Sequence, residues 1–104
     1  MLDKATVREI AEKYAEEVKK VLTPVSIVLF GSYVNGTPHE WSDIDIAVIM
    51  HDYKGDWLKT HSMLFTLTRN VSIDVEPHLL DVTDDKLGFV EHVMKTGEFI
   101  YKAA

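Results

Sequence analysis

Phe30-Gly31-Ser32-Tyr33-Val34-Asn35-Gly36-Thr37-Pro38-His39-Glu40-Trp41-Ser42-Asp43-Ile44-Asp45-Ile46-Ala47-Val48 is the stretch on which the reading of this chain turns. A near-continuous β-branched and aromatic run, Val25 to Phe30, leads into it and predicts a buried strand. Gly31-Ser32 breaks that run, and Gly36-Thr37-Pro38 marks a second turn. Asp43 to Ile49 then starts by alternating acid with isoleucine and becomes fully apolar, the pattern of a central strand with a polar beginning. Side chains alternate along a strand, so Asp43 and Asp45 share one face. At ~3.3 Å rise per residue their Cα atoms lie about 6.6 Å apart.

Two unpaired carboxylates at that spacing repel, and each loses solvation as it is buried. A divalent cation between them removes the conflict. Oxygen-only ligands favour Mg2+ or Mn2+ over zinc or copper. Two such ions, about 3.5–4 Å apart, suit phosphoryl transfer, where they activate the attacking oxygen and stabilise the leaving one. A third carboxylate would complete the second ion's site. Asp74 and Glu76 fall on one face of a strand expected to pair near Asp45, so either can serve. Gly31 lets backbone approach a phosphate closely. The Ser32 hydroxyl and the N–H groups after it can donate to phosphate oxygens, and a short helix starting at Ser32 would add a favourable partial charge. There is no G-x-x-x-x-G-K-[ST] and no G-x-G-x-x-G after a strand, so neither a P-loop nor a Rossmann dinucleotide site is supported.

Working outward, residues 3–22 read as an amphipathic helix with Val7, Ile10, Ala11, Tyr14, Val18, Val21 and Leu22 on one side, stopped by Pro24. Its acidic and basic residues read as a solvated face with i,i+4 pairs. Asp56 is placed to cap a helix carrying Trp57, His61, Leu64, Phe65 and Thr68. Tyr14, Trp57 and Phe65 are read as core-facing. Val71 to His78 alternates, with Val71, Ile73 and Val75 to one side. Thr83 with Asp84 and Asp85 resembles an N-cap and acidic first turn, opening a helix through Leu87, Val90, Val93 and Met94 that stops at Gly97. Glu98 to Lys102 is a short last strand or a tail. This order lacks the strand–helix alternation of a doubly wound sheet. It predicts an α+β fold with a mixed sheet of three to four strands and helices mainly on one face.

The chain has 104 residues, 46% hydrophobic and 27% charged, one domain's worth of ordinary globular composition. Eleven Lys/Arg against seventeen Asp/Glu give a net charge of −6, which disfavours sequence-independent nucleic-acid binding. There are no cysteines, which removes disulfides, thiol nucleophiles and Cys-based zinc sites. No apolar stretch is long enough to span a membrane, and no apolar signal segment follows the charged N-terminus, so a cytoplasmic protein is expected. The five histidines, His39, His51, His61, His78 and His92, include no close ligand pair such as H-x-x-x-H and read as surface or loop residues. His39 lies in the motif spacer. Tyr33 and Trp41 flank the site and suit either stacking on a base or packing.

The Gly31-Ser32, spacer, Asp43-x-Asp45 pattern resembles the polymerase-β nucleotidyltransferase superfamily and, within it, the minimal nucleotidyltransferases. The resemblance covers nearly the whole chain, 1–104, read as a single domain. Gly36 and Ser42 also fall where relatives often have Gly and Ser. Relatives' third acid is commonly an Asp followed by an apolar residue, another residue and Pro. Asp74-Val75-Glu76-Pro77 fits, so Asp74 is preferred and Glu76 is its rival. Many minimal members carry Arg immediately before the second glycine, where this chain has Asn35.

The resemblance implies a polymerase-β-like fold and transfer of a nucleoside monophosphate, AMP from ATP or its counterpart from another NTP, to an acceptor hydroxyl. It places two Mg2+ ions (or Mn2+) on Asp43, Asp45 and Asp74, assigns catalysis to the same three, and puts Gly31, Ser32 and Ser42 at the nucleotide. It implies a HEPN-domain protein as partner, with this chain as adenylylating antitoxin in a homo- or hetero-oligomer. Two competing readings are a module of the same fold that neutralises a partner by contact alone, and the catalytic half of a small-molecule modifier such as an aminoglycoside nucleotidyltransferase.

Overall fold

The computed structural model describes residues 2–39 and 42–103. The first helix, α1 (Lys4–Lys19), starts where the Asp3 carboxylate accepts the Thr6 N–H at 2.7 Å, an N-cap that satisfies one of the helix's orphan donors. Val7, Ala11, Tyr14, Ala15 and Val18 recur at helical spacing and are buried. The opposite face carries solvated pairs such as Glu9–Lys13 at 3.0 Å. Tyr14 donates its hydroxyl to the Leu64 carbonyl at 2.7 Å, and burial pushes its phenol well above the usual range, so it stays a donor.

Strand β1 (Ser26–Phe30) follows, then the single turn of α2 (Ser32–Asn35), then β2 (Ile44–Met50). β1 and β2 pair antiparallel, with Phe30 opposite Asp45. Helix α3 (Trp57–Leu67) is capped by the Asp56 carboxylate, which accepts the Lys59 N–H at 3.0 Å. It buries Thr60 and Leu64, whereas Trp57 and Phe65, expected to face the core, are exposed. The reason is angular. Trp57, His61 and Phe65 form the neighbouring i,i+4 stripe, where the Trp57 ring meets Tyr53 and the Phe65 ring meets His61.

Strand β3 (Val75–Asp81) lies parallel to β2 and starts four residues later than the alternation from Val71 suggests. The chain leaves α3 through a 3-10 turn at Thr68–Asn70, where Thr68 donates its hydroxyl to the Phe65 carbonyl, and the Ser72 hydroxyl accepts the Asp74 N–H. Those bonds hold residues 71–74 out of the ladder, leaving Ile73 86% exposed although its parity matches the buried Val75. Helix α4 (Phe89–Thr96) likewise starts late. Thr83 is taken up by Asp81, and the Asp85 carboxylate accepts the N–H groups of Val90 and Glu91, so Leu87 stays outside and 97% exposed. Gly97 closes α4, and the last segment is strand β4 (Glu98–Lys102), antiparallel to β1.

The sheet order is β3-β2-β1-β4, mixed and four-stranded, as expected for an α+β fold. One face carries Ile27, Leu29, Ile44, Ile46, Val48 and Leu79 against α1 and α3, with Tyr33 and Val34 of α2 at the margin. The other face carries Val28, Ala47 and Ile49 under Val90 and Val93 of α4. Most helices therefore lie on one face. Among the described residues no helix is long and apolar enough to cross a membrane.

Asp81 ties the far end of β3 to the loop after β2. Its carboxylate accepts the N–H groups of Asp52 (2.9 Å), Tyr53 (2.7 Å) and Thr83 (2.9 Å) and the Thr83 hydroxyl (2.6 Å). Burial opposes its ionisation, but the Thr83, Tyr53 and Asp52 hydrogen bonds win and hold it well below the usual carboxylate range. The folded-state value is depressed, so its stabilisation is complete above the unfolded value of about 3.9 and is lost as pH falls below it. Asp81→Asn is expected to lose about 2–3 kcal/mol of unfolding free energy at pH 7, because hydrogen bonds to charged groups are worth about 1.5–3 kcal/mol. Urea titrations at pH 7 and near pH 3 should show the gap to wild type narrowing in acid. A pH-independent gap would contradict the ionised-acceptor account.

Candidate active site

The turn after β1 decides where the first acid can sit. Gly31 has φ 87° and ψ −155°, a region that only glycine occupies without strain. A Cβ at this position would also run into the Asp45 carboxylate. Gly31 therefore serves twice, by permitting the sharp exit from β1 and by leaving room for Asp45 against the backbone. Ser32, half-buried, opens α2, and the left-handed Gly36 (φ 79°) closes it by returning its N–H to the Ser32 carbonyl. The short helix foreseen at Ser32 is present.

Asp43 is exposed just ahead of β2, and Asp45 is half-buried one residue into it. The parallel register sets Asp45 opposite Glu76 and Ala47 opposite His78. Glu76 and His78 share the face of Asp45, and the His78 Nε2 lies 3.1 Å from the Asp45 Oδ1. One donor atom each from Asp45, Glu76 and His78 lie within 4.8 Å of one another. Burial and the neighbouring carboxylates of Asp43 and Asp45 raise the Glu76 carboxyl above its ordinary value, against the opposing influence of His78. Three carboxyl groups and an imidazole thus converge at the polar ends of β2 and β3. A donor set of this composition fits a divalent cation, which relieves the repulsion among the carboxylates.

Asp74, the preferred third acid, lies elsewhere. It is exposed in the turn before β3, its N–H bonds the Ser72 hydroxyl, and its carbonyl accepts the Ile44 N–H at 2.8 Å. Among the described residues, the cluster within 4.8 Å contains Glu76 and not Asp74. Ser42 shapes the approach to β2, its hydroxyl accepting the His39 N–H at 2.8 Å while its own N–H bonds the His39 carbonyl at 2.9 Å. Tyr33 is engaged in packing, and its hydroxyl accepts the Leu2 N–H. Trp41 lies outside the described residues. His78 was read as a surface or loop residue, yet a usable signal existed. Glu76-x-His78 repeats the period-two logic that joins Asp43 to Asp45. Beside it the Phe30 ring stands edge-on to His78 at 5.0 Å and to Phe89 at 5.9 Å, forming an aromatic border to the acids.

The fold has counterparts among known proteins. The family described as "Polymerase beta, Nucleotidyltransferase" matches residues 9–104. The chain belongs to that family, and within it to the minimal nucleotidyltransferases. It is 36% identical over 70 residues to a Methanocaldococcus jannaschii protein named "Putative protein adenylyltransferase MJ1215", covering 67% of this chain and 80% of that one. A crystal structure described as a toxin-antitoxin with AMP-PNP superposes with a TM-score of 0.63 at 27% identity, covering 88% of this chain and 73% of that one. A nucleotidyltransferase-type structure from Sulfolobus solfataricus shares the fold, with a TM-score of 0.66 at 23% identity, over 92% of this chain and 80% of that one.

Gly31 combines a backbone region closed to other residues with the crowding of Asp45, and Gly36 has only a left-handed backbone. Gly31 and Gly36 both have positive φ, but a Cβ at Gly36 meets nothing within 4 Å. Strained φ alone costs of order 1–3 kcal/mol. Gly31→Ala is expected to destabilise the fold by at least ~1 kcal/mol more than Gly36→Ala in urea unfolding. Equal losses would mean that the contact with Asp45 has no energetic consequence.

Proposed function

We propose that this chain is a metal-dependent nucleotidyltransferase that moves AMP from ATP to an acceptor hydroxyl, with Asp43, Asp45 and Glu76 as its acidic centre. The observation that supports this reading most directly is the convergence of those three carboxyl groups beside the Gly31-Ser32 turn. Divalent ions, Mg2+ or Mn2+ and two in number, supply neutralisation of the triphosphate and of charge developing at the α-phosphorus. Asp45 is placed between the Gly31 turn and Glu76, where its carboxylate reaches both the nucleotide side and the β3 side of the centre. Ser32 donates its hydroxyl to phosphate oxygens, and Gly31, with no side chain, lets the triphosphate lie against the backbone. Ser42 steadies the segment that delivers Asp43.

The reaction is an in-line displacement. The acceptor oxygen forms a bond to the α-phosphorus, the bond from that phosphorus to the β-phosphate oxygen breaks, and pyrophosphate leaves. The acceptor's proton passes to a carboxylate oxygen of the acidic centre, with Glu76, opposite Asp45 on β3, as the proposed acceptor.

The acceptor is proposed to be a hydroxyl of a partner protein, in the manner of an antitoxin that adenylylates a HEPN-domain toxin. The relative named a protein adenylyltransferase and the similar toxin-antitoxin structure with AMP-PNP favour that over a small-molecule acceptor. A contact-only antitoxin is the competing reading. Its support is Asn35, exposed at the end of α2 where many minimal members carry an arginine.

Transfer of label from α-labelled ATP to partner protein, with Mg2+ or Mn2+, tests the proposal. Glu76→Gln should lower transfer by about 100-fold or more, the scale of losing one group that stabilises transition-state charge. Asp74→Asn should stay within about threefold of wild type, as expected for a residue outside the centre. The reverse ranking would restore Asp74 as the third acid. The Asp43→Asn/Asp45→Asn double variant separates the two readings. An enzyme loses metal-dependent ATP binding by calorimetry, whereas a contact inhibitor keeps full neutralisation of its partner.

A further inference from the structure

We infer that His78 gives the acidic centre a nitrogen donor, and that this makes the site prefer Mn2+ over Mg2+. The inference rests on the metal-dependent reading above and adds a ligand that the Asp-x-Asp pattern does not contain. His78 stands on β3 two residues beyond Glu76 and on the same face, with Nε2 3.1 Å from the Asp45 Oδ1. Two adjacent donors on one octahedral ion, with bonds of ~2.1 Å at right angles, lie about 3.0 Å apart. The imidazole and the carboxylate are therefore already spaced as neighbouring ligands of a single ion, and a Glu76 oxygen lies within 4.8 Å of both.

The ring is restrained beside the position such an ion would take. It is carried by a strand whose neighbours on the opposite face, Val75, Pro77 and Leu79, are buried, and the Phe30 edge supports it at 5.0 Å with an interplanar angle of 63°. A surface histidine read from sequence has no such restraint. Imidazole suits first-row transition ions, whereas Mg2+ keeps to oxygen and water. Replacing one oxygen donor by nitrogen therefore shifts selectivity toward Mn2+ without expelling Mg2+. The other histidines are not placed to contribute. His61 Nε2 lies against the Pro77 carbonyl on the opposite side of β3, and His39, His51 and His92 are exposed in other segments.

The test is Mn2+ binding to the tag-free full chain without nucleotide, so that no base nitrogen can contribute. Pulsed electron paramagnetic resonance of the Mn2+-loaded wild type should show the 14N coupling of a bound imidazole, and His78→Gln should lose it. In calorimetry His78→Gln should bind Mn2+ about tenfold more weakly while Mg2+ affinity changes by less than about twofold. Wild type without 14N coupling overturns the inference whatever the variant does, as does the absence of Mn2+ binding. Equal weakening of both metals also overturns it and makes His78 a positioning residue that orients Asp45 by hydrogen bonding. AMP transfer is scored separately. Nitrogen coupling without transfer would sink the enzymatic reading and keep the ligand, and transfer without coupling would do the opposite.

Discussion

The parallel ladder between β2 and β3 brings Asp45 and Glu76 side by side, and most of the molecule follows from tolerating that contact. Like charges at neighbouring strand positions are unfavourable, more so when half-buried. The register is nonetheless held, because a slip of one residue would turn Ile44, Ile46 and Val48 away from α1 and α3 and bring the acids into the core. Apolar burial on one face thus enforces electrostatic conflict on the other. The conflict shows in the raised Glu76 carboxyl; the imidazole beside Asp45 eases it locally, and a cation would relieve it more completely.

The two faces of the sheet divide this labour. Behind the acids, α1 and α3 seal a continuous apolar layer that runs from Val7 to Leu79. On the acid-bearing face, Val90 and Val93 of α4 pack over Val28, Ala47 and Ile49, toward the apolar ends of the central strands. The polar ends are left open, with Phe30 and Phe89 marking the border. The same strand β2 is therefore core at one end and ligand at the other, as its change from alternating to continuous apolar character anticipates. Asp81 supports this division by fixing the far end of β3 through four hydrogen bonds, well away from the acidic centre.

Gly31 shows how closely backbone and site are linked. Its conformation is open only to glycine, and the space its side chain would fill is occupied by Asp45. Phosphate approach is the usual argument for glycine in such a turn. The contact with Asp45 gives a second reason, independent of any ligand, for the Gly-Ser and Asp-x-Asp halves of the pattern to occur together.

Local pattern determined a great deal: the order of elements, the strand–turn–strand around Gly31-Ser32, the shared face of Asp43 and Asp45, and the cap at Asp56. These depend on interactions within a few residues, which period and turn chemistry report directly. The start of β3 and the start of α4 were not legible, because the side chains of Ser72, Asp81 and Asp85 capture backbone N–H groups that a periodic pattern assigns to the ladder or the helix, and Trp57 and Phe65 are exposed because they lie on the stripe beside the buried one. The acidic centre divides in the same way. Its Asp-x-Asp half is a property of one strand and is written in the sequence alone. Only the tertiary structure sets Glu76 and His78 beside Asp45 and leaves Asp74 in the turn before β3. That arrangement rests on which residues of β3 stand opposite Asp45 once α3 has packed, and no local rule sets the pairing of two strands separated by a helix.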